Sequence, residues 1–90
     1  MNVQELKEKL IQAGVIDIWW SIPGHFELFG IFWLEQNNDG TWIMYDQDER
    51  GNKYTIKIFT SEEEACDFFY NYVTKEYEEE KPYIGKGKDL

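Results

Sequence analysis

The chain is poor in the residues that build catalytic and metal centres. It has one cysteine, Cys66, and one histidine, His25. A single cysteine excludes an internal disulfide and removes support for a disulfide-stapled secreted scaffold. A nucleophilic enzyme would need Cys66 or a serine beside a base, and His25 falls two residues after Pro23 in an expected surface turn. Cys66 lies beside the buried stripe of an expected helix, where a free thiol acts as a small apolar filler.

Positive charge is also scarce. Eighteen acids against nine bases leave a formal charge of −9 and a pI near 4.4, which repels phosphate backbones and anionic membrane surfaces. Nucleic acid and membranes are thereby excluded as expected partners. A basic protein is favoured, because complementary long-range potentials raise association rates. The same acidity also serves plain solubility in an aromatic-rich chain. The longest apolar run, Leu28 to Leu34, is far short of a membrane span, and the polar Met1-Asn2-Val3-Gln4-Glu5 shows no export pattern. A cytoplasmic protein is expected.

Large apolar side chains, by contrast, are plentiful. Aromatics at 18% and hydrophobics at 42% are too much for a disordered chain, even with 30% of residues charged. Ninety residues make one domain with one modest core, hiding roughly 60–65% of the unfolded surface. Residues 1–90 are read as that single domain, with 81–90 a loosely ordered tail and no internal repeat.

Val3, Leu6, Leu10 and Ala13 recur at helical spacing, with Asn2 and Glu5 placed as a capping box and Gly14 just past the C-cap. Alternation from Val15 to Ser21 predicts strand one, with Ile16, Ile18 and Trp20 on one side and Asp17, Trp19 and Ser21 on the other. Pro23-Gly24 suits the centre of a type II turn. Strand two, about Phe26 to Gln36, is apolar on both sides and so belongs inside a sheet. Asn37-Asn38-Asp39-Gly40-Thr41 fits a three-residue hairpin loop with Gly40 left-handed in a G1 bulge, Asn37 facing Thr41. Residues of strands two and three then pair when their numbers sum to 78, which puts Trp42 and Met44 on the face of Phe32 and Leu34.

An acidic turn closing on Asp48-Glu49-Arg50-Gly51-Asn52 leads to strand four, whose Tyr54, Ile56 and Ile58 are read as its core side. Thr60 or Ser61 caps helix two, and Ala65, Phe68, Phe69, Tyr72 and Val73 form the stripe that covers the even-numbered sheet face. Lys81-Pro82 is expected to end it. The expected architecture is α+β in the order α-β-β-β-β-α, with a four-stranded antiparallel meander.

No residue set spells out a reaction, so no catalytic, cofactor or metal site is assigned. Asp46-Gln47-Asp48-Glu49-Arg50-Gly51 begins like a calcium loop, but Arg50 and Lys57 stand where oxygen ligands are needed. Gly85-Lys86-Gly87-Lys88 lacks the spacing of a phosphate loop. More informative is the odd-numbered sheet face: Trp19, Phe29, Ile31, Trp33, Ile43 and Tyr45, bordered by Asp17, Glu27, Glu35 and Lys57. Either the first helix or the tail covers these aromatics, or they form a binding face with an acidic rim.

Trp42-x-x-Tyr45, Glu49-Arg50-Gly51, Phe59 and Ser61-Glu62-Glu63-Glu64-Ala65-Cys66-x-x-Phe69 together resemble a pattern of small bacterial immunity proteins of polymorphic toxin systems. The likeness spans roughly residues 15 to 73. It departs at Asp46-Gln47-Asp48, where a serine-containing turn would be expected. The resemblance implies a cytoplasmic α+β protein, not an enzyme, that binds and blocks a cognate toxin domain, and it brings no contact residues with it.

An inhibitor of a basic nuclease can set carboxylates where the enzyme expects phosphates, with aromatic anchors for dwell time. The carboxylate candidates are Asp46, Asp48 and Glu49 on the turn and Glu76, Glu78, Glu79 and Glu80 on helix two. Trp33 and Tyr45 are the candidate anchors. The alternative is a non-enzymatic structural or regulatory module that homodimerises through the odd face.

Overall fold

The computed structural model of the protein describes residues 1–26 and 30–89, with residues 81–89 described by their backbone. The order is α1 (Val3–Gln12), a single 3₁₀ turn (Asp17–Trp19), β1 (Trp20–Ser21), β2 (Phe32–Gln36), β3 (Trp42–Gln47), β4 (Lys53–Phe59) and α2 (Glu62–Asp89). The four strands form one sheet in the order β1-β2-β3-β4. The fold is α+β with a helix at each end. Its sheet is mixed, not the expected antiparallel meander: β2, β3 and β4 alternate, while β1 runs parallel to β2.

α1 forms as its spacing predicts. Asn2 and Glu5 close a reciprocal capping box, and Gly14 takes a left-handed φ of 78° just after the Ala13 C-cap. Leu6 and Leu10 are buried.

The first strand is where alternation misleads. A strand sends adjacent side chains to opposite faces, yet Trp19 and Trp20 are both buried in the same core cluster. The chain achieves this by curling through the 3₁₀ turn, and the Trp20 indole donates to the Val15 carbonyl at 3.2 Å. Each indole hides on the order of 150–250 Å², which outweighs leaving Ile16 and Ile18 exposed. Only Trp20 and Ser21 remain as strand.

Pro23-Gly24 does reverse the chain: Ile22 and His25 exchange hydrogen bonds of 3.1 and 2.9 Å around a left-handed Gly24. That reversal ends with those two residues. The His25 ring stacks on Trp20 at 3.9 Å and 17°, drawing the turn back onto β1. The chain then returns, and β2 enters beside β1 in the same direction, with Ile31 N–H on the Ile18 carbonyl at 3.1 Å. The expected strand start at Phe26 is replaced by one at Phe32, and the portion at Glu27, Leu28 and Phe29 lies outside the described residues.

The next two hairpins share one construction. Asn37 N–H bonds the Thr41 carbonyl at 2.7 Å and Gly40 N–H the Asn37 carbonyl at 3.0 Å. Asp48 and Asn52 repeat the pattern at 3.0 Å, with Gly51 N–H on the Asp48 carbonyl at 3.1 Å. Gly40 and Gly51 carry the positive φ that such loops require. The pairing sum of 78 holds from Phe32↔Asp46 to Gln36↔Trp42.

The core side of β4 is the expected even-numbered one as far as Ile56, half-buried against the core, and reverses after it. A bulge at Met44/Tyr45 inserts Ile56 as an extra residue, so Trp42 pairs with Phe59 and Tyr45 with Thr55. Beyond the bulge the parity flips. Phe59 enters the core at 1% exposure, while Ile58 stands out at 58%; Tyr54, before the flip, stays on the face of Asp46 but is 56% exposed. Lys57 shares the helix side with Phe59, its Nζ 4.9 Å from the Phe68 ring centroid, and does not border the odd face.

α2 starts at its Ser61 cap, whose Oγ accepts from Glu64 N–H at 3.2 Å. Ala65, Phe69 and Val73 are fully buried against the even face, with Phe68 and Tyr72 partly so. The helix continues past Pro82 to Asp89. Proline deletes its own N–H donor and crowds the preceding turn, but a helix already propagating through Glu and Lys residues can carry one such defect. Among the described residues neither helix covers the odd face: α1 packs beside α2, where Glu62 accepts from Val3 N–H at 2.9 Å. Among the described residues no helix is long and apolar enough to cross a membrane.

Candidate functional site

The two sheet faces carry different chemistry. On the odd face, Trp33 and Tyr45 stack at 5.8 Å and 10°, and each is only 4% exposed. Trp33 donates to the Gly30 carbonyl at 2.7 Å, Tyr45 to Glu35 at 2.9 Å, and Lys53 lies over both rings. Burial first, then the Glu35 bond, raises the Tyr45 phenol above its ordinary pKa. These two rings are interior packing with little surface for a partner. The ring that stands outside them is Phe26, 70% exposed and edge-on to Trp33 at 4.9 Å.

Trp19 is absent from this face. It packs on the helix side, 5.1 Å from the Tyr77 ring and 6.0 Å from Phe32. Ile31 packs partly against the same core. Glu27 and Phe29 lie outside the described residues.

The carboxylates converge on the helix side. Asp46 sits opposite Phe32 on one flank and Tyr54 on the other. Phe32, Asp46, Asp48 and Tyr54, with Ile31 and Gln47, line a groove of about 270 Å³. Tyr72 of α2 meets Phe32 edge-on at 5.5 Å. Burial, then the charges of Glu76 and Asp46, raise the Tyr72 phenol, so both carboxylates lie within electrostatic reach of that hydroxyl. The Tyr54 phenol is raised chiefly by the charge of Asp48, with Asp46 contributing. Strand order and helix crossing thus bring the charges of acids thirty residues apart in sequence to bear on one tyrosine.

Within that set the carboxylates differ in freedom. Asp48 accepts from Arg50 N–H and Asn52 N–H at 2.9 Å, from the Asn52 amide at 3.1 Å and from Tyr54 at 3.3 Å. The Asn52 bonds lead in holding its pKa below the usual carboxylate value, so this charge is fixed and its oxygens are occupied. Among the described residues no cation pairs with Asp46 or Glu76. The ion pairs there are Met1 with Asp67 and His25 with Asp17. Glu49 is exposed at the loop tip. Glu79 lies close to the Tyr72 line of α2, Glu80 flanks it, and Glu78 points about 120° away.

Phe32, Tyr54 and Tyr72 are the members that residue-type reasoning missed. The sum-of-78 register already sets Phe32 against Asp46, and Tyr72 precedes Glu76 by one helical turn. Cys66 is fully buried; burial first, then Glu62, pushes its thiol up to about 11, which leaves it protonated. Among the described residues no cluster of three His, Cys, Asp or Glu side chains could hold a metal ion.

No protein-family model, curated protein or solved structure matches the chain.

Proposed function

We propose that the chain is a non-enzymatic immunity protein that binds and neutralises a cognate toxin domain, with a basic nuclease the toxin class its charge fits best. The observation that carries this reading is the groove lined by Asp46 and Asp48 beside Phe32 and Tyr54, with Tyr72 of α2 edge-on to Phe32 and the charge of Glu76 felt at Tyr72. A field set by a formal charge of −9 speeds encounter with a cationic surface. Once docked, a lysine or arginine that the toxin would place on a phosphate meets the Asp46 and Glu76 carboxylates, which no cation pairs among the described residues. The flanking rings accept the flat face of a guanidinium.

Asp48 and Glu49 extend the negative surface along the hairpin, and Glu79 and Glu80 extend it along α2. In this account Trp33 and Tyr45 support the sheet that presents Asp46, and they do not touch the partner. The free thiol of Cys66 accords with a reducing compartment, which the proposal takes to be the bacterial cytoplasm.

The test is co-purification with the polypeptide encoded immediately upstream, followed by titration of that polypeptide's toxicity or nuclease activity. One-to-one saturation with loss of activity is the expected result. A partner that binds without losing activity, or no binding in low salt, would reject inhibition as the function.

A further inference from the structure

The carboxylate of Asp46 is half-buried, yet among the described residues it accepts no hydrogen bond and pairs with no cation. A charge partly withdrawn from water and left without a partner costs the fold stability, and a bound cation would relieve that cost. Asp46 stands in one row with Phe32 of β2 and Tyr54 of β4 on the helix side of the sheet. Their strands lie about 5 Å to either side of it. Both rings are held in place: buried Phe32 by Trp19 and Tyr72, and Tyr54 by its hydroxyl, which donates to Asp48 at 3.3 Å. Phe32 walls the slot, while Tyr54, 56% exposed, leaves ring surface open to a ligand. The groove measures about 270 Å³, below the roughly 300 Å³ at which small-molecule pockets begin. It has room for one side chain.

We propose that this slot takes the guanidinium of an arginine side chain and selects it over a lysine ammonium. Both Asp46 oxygens are free, as a bidentate pair with two parallel N–H donors requires. The planar cation can hold that pair while lying against the Tyr54 ring. An ammonium has no flat face to set there and gives up its hydration less readily. Asp48 contributes charge rather than bonds, since its oxygens are taken up by Arg50, Asn52 and Tyr54. The source of the arginine rests on the proposed function: it is a residue of the toxin surface. The slot's preference for guanidinium is a property of this chain alone.

Amide chemical-shift titration of the full chain by NMR, with Nα-acetyl-arginine amide and Nα-acetyl-lysine amide at matched low ionic strength, tests this without any toxin. The arginine amide is expected to give saturable shifts at Asp46 and Tyr54, with a Kd at least about threefold below that of the lysine amide. Asp46→Asn should weaken arginine binding by about tenfold, the size of one charge-assisted hydrogen bond. Glu64→Gln, which removes the same charge from an exposed site in the first turn of α2, should leave it unchanged. Equal affinity for the two amides in the wild type overturns the proposal, as does the absence of saturable shifts at Asp46 and Tyr54. So does an equal loss in the two variants, which would mean a diffuse acidic surface. Toxin neutralisation without arginine preference would reject the slot and keep the inhibitory role, and arginine preference without neutralisation would do the reverse.

Discussion

Asp48 and Asn52 are joined by three hydrogen bonds across the second hairpin loop. The Asn52 backbone N–H and side-chain amide donate to the Asp48 carboxylate at 2.9 and 3.1 Å, and Asp48 N–H donates to the Asn52 carbonyl at 3.0 Å. Asp39 serves the first loop in a similar way, accepting from the Thr41 hydroxyl and N–H.

Both carboxylates are held below their ordinary value of 3.8 by these bonds. Their contribution to stability is therefore present above pH 3.8 and lost as pH falls through the lowered folded values. The melting temperature, followed by circular dichroism, should be level at neutral pH and drop on this acid limb. Asp48→Asn and Asp39→Asn should each make the drop smaller. An unchanged acid limb in the double variant would contradict the assignment.

The bulge inverts what the alternation of β4 suggests about cost. Phe59→Ala should destabilise by about 3–5 kcal/mol, as a buried aromatic lost from a packed core does. Ile58→Ala, at an exposed site, should fall within about 0.5 kcal/mol of wild type. Urea unfolding of the two variants settles the register of the strand, because the unbulged alternation predicts the opposite ranking.

Charge reversal separates the acids by position. Asp46→Lys with Glu76→Lys should slow association with the upstream-encoded partner by about tenfold and flatten its salt dependence. Glu78→Lys, turned off the Tyr72 stripe, should have a smaller effect. Asp48 is unsuited to this comparison because its loss also breaks the loop. Stopped-flow association at several salt concentrations is the measurement, and equal effects at Glu76 and Glu78 would count against the groove.

Cys66 should be inert in the folded protein. A buried thiol pushed up to about 11 presents almost no thiolate at neutral pH. Reaction with a disulfide reagent should be undetectable in native buffer and complete in guanidinium.

Local chemistry was legible in the sequence and long-range geometry was not. The Asn2–Glu5 box and the Asn37–Thr41 loop depend on residues within a few positions of one another, and both formed as their spacing predicts. The direction of β1 depends on where the chain travels after His25, which no neighbouring residue dictates. The Ile56 insertion leaves no mark on the alternation of Tyr54-Thr55-Ile56-Lys57-Ile58, since a bulge changes which face the pattern serves without changing the pattern. Among the site residues, the acids could be picked out by charge. That the charges of Asp46 and Glu76 both act on Tyr72 follows from the crossing of α2 over the sheet, which only tertiary packing fixes.

The contact between Glu62 and Val3 also sets an order of events. The central hairpins close between near neighbours in the chain, whereas α1 must wait for a helix nearly sixty residues downstream. During synthesis, Leu6 and Leu10 leave the ribosome well before α2 and acquire their cover last. Topology therefore makes α1 the final piece to dock and, by the same logic, the first expected to open, so amide exchange in Leu6–Leu10 should outpace that in β2 and β3.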